Sequence, residues 1–415
     1  MARFIIRGGK PLRGQFMPAG NKNAVLPMLA ACLLTDKVVT LQNVPLIEDV
    51  LTMLELLTQL GVDVSHKNHC VSLCARGLQK RALARDLCLR VRSSILLSGP
   101  LAARHGKATL YPPGGDIIGR RRLDTHFLGL SALGIQVSVG RDCYRFTRKR
   151  LEGAFILLDE ASVTATENIL MAATLAAGTT VIFNAACEPH VQDLAIMLNK
   201  MGARIAGIGT NRLQIEGVKS LHGADHTVCP DHIETGSFLA AAAITRGSLK
   251  IPCPDRYAVA PILRPLLTLG LRVGYKDENL CLPRVRSLRI QDDCGHSIPK
   301  IEDGPWPSFP SDLMSVAIVT ATQATGSILF FEKMFESRMY FVDRLIDMGA
   351  RIIQCDPHRV LVTGHARLHA MRVSSPDIRA GMAMVLAALC AKGVSSIDNA
   401  QVIDRGYEKL EERLR

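Results

Sequence analysis

The sequence predicts an α/β protein built from six copies of one supersecondary unit, three in each of two domains. Three observations predict it. First, Leu or Met, then Gly, two residues and a β-branched residue recurs at Leu60-Gly61…Val64, Leu133-Gly134…Val137, Met201-Gly202…Ile205, Leu269-Gly270…Val273 and Met348-Gly349…Ile352, with glycines 73, 68, 68 and 79 residues apart. A fixed period of that length marks a copied unit. Second, six small-residue-rich segments (28–36, 95–106, 170–178, 238–247, 314–326 and 382–393) each read as a helix running into a turn and a β-branched strand. Third, 415 residues exceed what one core organises, so six blocks divide as three plus three.

Each block reads helix, turn, strand, second helix, Leu-Gly stop, strand. Alternating helices and strands argue α/β layers. Glycine just past a helix supplies the left-handed C-cap. A sixth Leu-Gly stop falls near position 417, past Arg415, so the last block is expected to lack its closing strand.

Composition narrows the classes. Apolar residues make up 48%, which excludes a disordered chain. No apolar run approaches the ~18–20 residues of a membrane span. The N-terminus carries no signal-peptide core. Twelve cysteines are scattered, without a C-x-x-C, so zinc knuckles and redox pairs are not expected, and the thiols read as reduced, mostly buried and cytoplasmic. A net charge of +12 leaves three readings open: a basic surface without a ligand, a nucleic-acid binder, and a cleft for small anions. One Trp and six Tyr offer few stacking platforms for nucleic acid.

The motifs lie at block junctions, near helix starts. Gly20-Asn21-Lys22-Asn23-Ala24 precedes the first helix; a lysine there either holds an anion with backbone N–H groups or is solvated. Arg92-Ser93-Ser94-Ile95 begins the second, with the serines as candidate caps. Tyr111-Pro112-Pro113-Gly114-Gly115-Asp116 runs to Arg120-Arg121-Arg122: a stiff entry, a hinge, an acid and three cations, the composition of a lid over an anion. Ser162-Val163-Thr164-Ala165-Thr166-Glu167-Asn168 opens the third, and its hydroxyls suit helix capping or phosphate binding. Pro305-Trp306-Pro307-Ser308-Phe309-Pro310-Ser311-Asp312 brings either a capping or a proton-accepting carboxylate to the fifth helix. Asp377-Ile378-Arg379 and Asp404-Arg405-Gly406-Tyr407 read as capped helix starts carrying an arginine. If the blocks converge, Lys22, Arg92, Arg121, Arg338 and Arg405 collect in one cleft.

These motifs, with Pro230-Asp231-x-Ile233-Glu234-Thr235-Gly236-x-Phe238 and Phe335-Glu336-Ser337-Arg338, resemble the enolpyruvyl transferase family from about residue 4 to 415. Lys22-Asn23 resembles the members that act on UDP-N-acetylglucosamine; the shikimate-phosphate members open with a serine-lysine-serine style motif. The resemblance implies a two-domain inside-out α/β barrel of six repeats: 22–229 as one domain, 1–21 plus 230–415 as the other, and 111–122 as a mobile lid. It implies transfer of the enolpyruvyl group of phosphoenolpyruvate to a sugar 3-hydroxyl, releasing phosphate, in peptidoglycan precursor synthesis. The implied partners are those two small molecules, with no nucleic acid, membrane, metal or cofactor. By the same resemblance Asp116, Asp312, Lys22 and Arg405 are catalytic. Lys22, Asn23, Arg92, Arg121, Arg122, Leu123, Asp124, Thr125, Ser162, Val163, Thr164, Asp312, Met334, Arg338, Asp377, Arg379 and Arg405 contact substrate.

The chain departs from the family pattern at the lid, where Asp116 replaces a cysteine. A thiol titrates near 8.5 and an aspartic acid near 3.9, so an acid-shifted activity profile and escape from fosfomycin, which alkylates that thiol, are expected. Glu160, Leu89 and His232 replace basic residues, and weaker nucleotide affinity is expected from them. Two alternatives remain: a paralogue with another acceptor or weak activity, and a basic repeat protein that binds nucleic acid.

Overall fold

A computed structural model describes residues 2–79, 82–116, 118–253 and 255–415. Packing divides it into two compact units. The first comprises Gly20–Gly115 with Arg121–Cys229; the second comprises Met1–Ala19, Asp116–Arg120 and Pro230–Arg415.

In the first unit three helices lie at the centre: Lys22–Ala31, Ser98–His105 and Val163–Ala173. All three are rich in Ala and Leu, and most of their side chains are buried. Small residues let the backbones approach. A Cβ on Gly99 would lie 2.4 Å from the Asn168 amide oxygen, so the second and third helices touch there. The sheets lie outside this core, which makes the unit inside-out. One runs in the order Asp63–Lys67, Cys70–Cys74, Val39–Gln42, Asp225–Thr227, and another Arg204–Ala206, Arg212–Glu216, Thr179–Phe183, Phe155–Leu157. The third consists of Lys107–Leu110, Tyr144–Arg148 and Ile135–Val139. Asp225–Thr227 follows the third repeat yet pairs parallel with Val39–Gln42 of the first, closing three repeats into a ring.

The second unit repeats this plan around His232–Ile244, Met314–Thr322 and Ile378–Cys390, which pack on one another. Its first strands are Ser248–Pro252, Ala324–Phe331 and Val394–Asp398. The predicted gap in the sixth block is filled from elsewhere in the chain. Arg3–Arg7 pairs antiparallel with Val394–Asp398, where the other sheets place their own hairpin strand. Arg13–Gln15 then pairs parallel with Ser248–Pro252 and closes the second ring.

All five Leu-Gly stops adopt left-handed backbone, with φ from 86° at Gly61 to 98° at Gly349. The other turn series is less uniform than expected. Only Gly106 is a left-handed C-cap directly behind its helix. At 246–247 Arg246 takes the positive φ, and Gly247 is required because a Cβ would meet the Leu12 carbonyl oxygen at 1.7 Å. The helix expected over 314–326 stops at Thr322; Gly326 lies inside the strand Ala324–Phe331. Among the described residues no helix is long and apolar enough to cross a membrane. Of the twelve cysteines three are buried and two, Cys294 and Cys355, are exposed, which corrects the expectation of mostly buried thiols.

Candidate active site

In the first unit the site residues sit where the central helices begin. Asn21 caps Lys22–Ala31, its side chain accepting from the N–H groups of Asn23 and Ala24. Lys22, the first helical residue, is buried and pairs with Asp49 Oδ2 at 2.6 Å. The helix dipole disfavours a cation at this end; Asp49, from the first turn of Glu48–Gln59, offsets that.

Arg92 opens the 3-10 turn Arg92–Leu97. Ser93 and Ser94 do not cap it, contrary to expectation: Ser94 Oγ donates to the Val91 carbonyl at 3.0 Å, and Ser93 Oγ is buried without a partner among the described residues. Arg92 Nη2 donates to the Arg121 carbonyl at 2.7 Å. Burial, then the positive charge of Arg121, pulls the Arg92 guanidinium down to about 10. Among the described residues Arg92 has no carboxylate partner.

The hydroxyls at the third helix are also not caps. Ser162 occupies the capping position without a side-chain capping bond. Thr166 Oγ1 accepts from the Ala186 N–H. Thr164 Oγ1 meets His126 Nε2 at 3.1 Å, and Asn168 Nδ2 lies 3.1 Å from His126 Nδ1. Asn168 Oδ1 accepts from the Gly99 N–H, which fixes its nitrogen as donor; Nδ1 therefore accepts and Nε2–H donates to Thr164. Burial, then the Arg92 charge, pushes His126 down to about 3, so the ring is neutral. Thr125 is fully buried, its hydroxyl donating to Asp159 Oδ1 at 2.7 Å. Arg122 bridges Asp124 and Asp159 at 3.1 and 3.0 Å. Leu123 is buried, Val163 is the first residue of its helix, and Glu160 lies 3.4 Å from the Thr125 hydroxyl.

The 111–122 segment is divided between the units, and its residue 117 lies outside the described residues. Gly114 is held by its N–H on the Cys88 carbonyl at 3.0 Å, and a Cβ would strike the Leu89 carbonyl oxygen at 1.7 Å. The Gly-Gly pair is therefore packed at its first residue and left-handed, with φ 106°, at its second.

In the second unit Asp116 Oδ1 accepts from Arg405 Nη1 at 2.5 Å. Arg405 ends the 3-10 turn Ala400–Arg405, and the last helix, Leu410–Arg413, has Lys409 at its start, so Asp404 caps nothing, contrary to expectation. Asp312 lies in the turn Ser311–Leu313 and does not cap the helix behind it. Its two oxygens accept from Arg338 Nη2 at 2.5 Å and Arg379 Nη2 at 2.7 Å. Burial works to lower the Arg379 pKa; Asp312, Tyr407 and Asp231 outweigh it, and the net shift is upward. Asp377 caps Ile378–Cys390 through the Arg379 and Ala380 N–H groups. His232 is buried against Trp306; desolvation, opposed in part by Asp312, pushes it down to about 4. Met334 is exposed.

Several participants carried no signal in the sequence. Asp49 and His126 reach their partners from other elements. So do Glu332 and Asp303, two buried acids behind Ser311.

Six inside-out repeats, closed three by three, with arginines and carboxylates at the central helix starts, are the architecture in which comparison with known proteins identifies a carboxyvinyltransferase. The family model described as EPSP synthase (3-phosphoshikimate 1-carboxyvinyltransferase) matches residues 6–414, and the chain belongs to that family of enzymes. Within it, the chain is similar to proteins named UDP-N-acetylglucosamine 1-carboxyvinyltransferase. It is 50% identical to that of Treponema denticola, covering 100% of this chain and 97% of the relative, and 52% identical to that of Bradyrhizobium diazoefficiens, covering 99% and 96%. Its fold matches the enolpyruvyl transferase NikO from Streptomyces tendae with a TM-score of 0.88 at 23% identity, covering 99% of this chain and 96% of that one. EPSP synthase from Acinetobacter baumannii matches with a TM-score of 0.77 at 19% identity, covering 99% and 97%.

Proposed function

We propose that the chain transfers the enolpyruvyl group of phosphoenolpyruvate to the 3-hydroxyl of UDP-N-acetylglucosamine, the step that commits the sugar to peptidoglycan. One observation carries the chemistry: the Asp312 carboxylate, gripped on both oxygens by buried arginines. The two ion pairs fix the carboxylate in direction, as orienting a hydroxyl requires. The acceptor rests on the full-length identity to relatives of that name.

In the reaction the sugar 3-oxygen bonds to C2 of phosphoenolpyruvate, C3 gains a proton and the hydroxyl loses one. The C2–O bond to phosphate then breaks, a C3 proton leaves, and the double bond re-forms. Asp312 orients the hydroxyl and takes its proton. Lys22, Arg121 and Arg405 hold phosphoenolpyruvate and stabilise charge developing on its phosphate and carboxylate. Asn23, Arg92, Arg121, Arg122, Leu123, Asp124, Thr125, Ser162, Val163, Thr164 and Met334 form the nucleotide-sugar side. There Thr125 holds Asp159 in place, and His126 holds the Thr164 hydroxyl. Arg338, Asp377 and Arg379 line the acceptor side, with Asp377 ordering the turn that presents Arg379.

The 111–122 segment serves as a lid, and Asp116 handles the C3 proton from it, where cysteine stands in the family pattern. A carboxylate is a weaker nucleophile than a thiolate toward an epoxide, and Asp116 is already tied to Arg405. The enzyme is accordingly resistant to fosfomycin. Phosphate release from phosphoenolpyruvate, with and without UDP-N-acetylglucosamine, tests the assignment. Release that does not depend on the sugar nucleotide overturns it.

A further inference from the structure

Two buried acids stand directly behind Asp312. Strand Lys300–Glu302 pairs parallel with Ala324–Phe331, with Glu302 opposite Phe331. The next residues on each strand are Asp303 and Glu332, so the register sets their side chains next to each other. Asp303 is 1% exposed and Glu332 fully buried. The Asp303 backbone N–H donates to the Phe331 carbonyl at 3.3 Å, and Asp303 Oδ1 accepts from the Lys333 N–H at 2.5 Å. Asp303 Oδ2 has no N–H or O–H donor among the described residues. The Ser311 hydroxyl lies 2.9 and 3.0 Å from the two Glu332 oxygens, though it has one proton to give. The Phe335 N–H also reaches Glu332 Oε1, at 3.2 Å.

Glu332 therefore ties down both neighbours of the central ion pair. Through Ser311 it holds the residue before Asp312. Through Phe335 it closes the turn that delivers Arg338 to Asp312. The charged groups around it are Asp303, Arg338 and Lys333. Arg338 is engaged by Asp312, and the Lys333 ammonium lies on Glu302 at 2.8 Å. His358 contacts the Glu332 backbone carbonyl through Nδ1 at 2.8 Å. Two buried carboxylates without a cation of their own cannot both ionise cheaply.

We infer that Asp303 and Glu332 share a single proton, and that this hydrogen-bonded acid pair is a positioning device holding Asp312 and Arg338 in the arrangement the transfer reaction needs. Burial first, then the neighbouring Asp303, pushes Glu332 up to about 9, so the shared proton stays through neutral pH. Its loss in alkali sets two negative charges against each other and loosens the Ser311 and Phe335 contacts.

The inference rests on the transferase reading for its consequence but not for its test. The variants are Glu332→Gln and Asp303→Asn, each replacing the shared proton with an amide N–H while keeping one negative charge. Phosphate release is followed across the alkaline range. The parent loses activity roughly tenfold per pH unit above about 9, and both variants keep neutral-pH turnover and lose that fall. Thermal unfolding over the same range supplies an arm without substrate. A carboxyl whose folded pKa is raised contributes stability fully present below its ordinary pKa near 4.5 and lost as pH rises to about 9. The melting temperature of the variant minus that of the parent must therefore rise from about pH 4.5 toward pH 9 and then level off. A constant difference, an alkaline fall shared by all three proteins, or amide variants that do not fold each overturns the shared proton. A parent silent with both substrates at every pH overturns the transferase reading, and the melting series still decides the proton.

Discussion

Replacing Asp312 with alanine removes the counter-ion of two arginines at once. The side chains of Arg338 and Arg379 are 8% and 7% exposed, against 26% for Asp312. Each guanidinium attracts the carboxylate by about 4 kcal/mol at ~4 Å and an effective dielectric near 20. What matters on deletion is the uncompensated buried charge left behind, about 3–5 kcal/mol for a broken buried pair. Partial hydration of Asp312 sets the estimate at the low end, about 3 kcal/mol. The second unit holds about 200 residues. At about 2–4 °C per kcal/mol for a body of that size, Asp312→Ala lowers its melting temperature by about 6–12 °C.

Asp312→Asn separates stability from chemistry. It keeps one oxygen for one arginine and loses one charge-assisted bond, a cost of about 1.5–3 kcal/mol. Both variants are to be melted by calorimetry at neutral pH in low and high salt, and assayed for phosphate release well below their transitions. A loss of stability that salt hardly changes is expected, because buried pairs are weakly screened. Turnover falls by about 10²–10⁴ in both, as removal of a proton-transferring group does. A melting change under about 1 kcal/mol for the alanine variant refutes the buried-pair account. Parental turnover in the asparagine variant refutes the role of Asp312.

The remaining predictions concern single groups. Asp116→Cys restores a thiol at the lid and confers time-dependent inactivation by fosfomycin, with a covalent mass at residue 116; the parent gains no such mass. His126 is held neutral with its pKa down at about 3, so it contributes stability fully present above its ordinary pKa near 6.5 and lost as pH falls toward 3. His126→Gln flattens that acid limb, by about 5 kcal/mol at most, in urea titrations at a series of pH values. Lys22→Met strands the buried Asp49 carboxylate; it costs about 3 kcal/mol by denaturant titration and raises the KM for phosphoenolpyruvate.

What the sequence disclosed follows from what local chemistry can encode. A left-handed stop after an amphipathic helix leaves Leu-Gly at a fixed place, so the five stops were legible. Ring closure was not: Arg13–Gln15 joins Ser248–Pro252 through sheet register, which no local pattern records. The same divide runs through the site. Lys22, Asp312 and Arg405 stand in recognisable motifs. Asp49, His126 and Glu332 do not, because each becomes meaningful through a partner far along the chain or across a register. The capping hydroxyls at 93–94 and 162–166 failed for a related reason. Thr164 and Thr166 found partners beyond their own helix start, and tertiary bonds displaced local ones there, whereas Ser94 turned back to the Val91 carbonyl at the start of its own turn.

The placement of chemistry at helix starts is a consequence of the inside-out plan. In an ordinary amphipathic helix a polar face is available along its length. The central helices here have no such face: every residue of His232–Ile244 is buried, as is every residue of Met314–Thr322. A charged side chain in their middles would be desolvated without a partner. Only the ends remain, and the two ends differ, because the starting N–H groups favour anions and carboxylates. Asn21, Asp231 and Asp377 use that field as caps, and Lys22, His232 and Arg379 follow them as the first, first and second residues of their helices. A cation held there against the helix field needs a carboxylate, and Lys22 has Asp49 while Arg379 has Asp312. The burial that makes these helices unsuited to surface chemistry therefore concentrates paired charge at their starts.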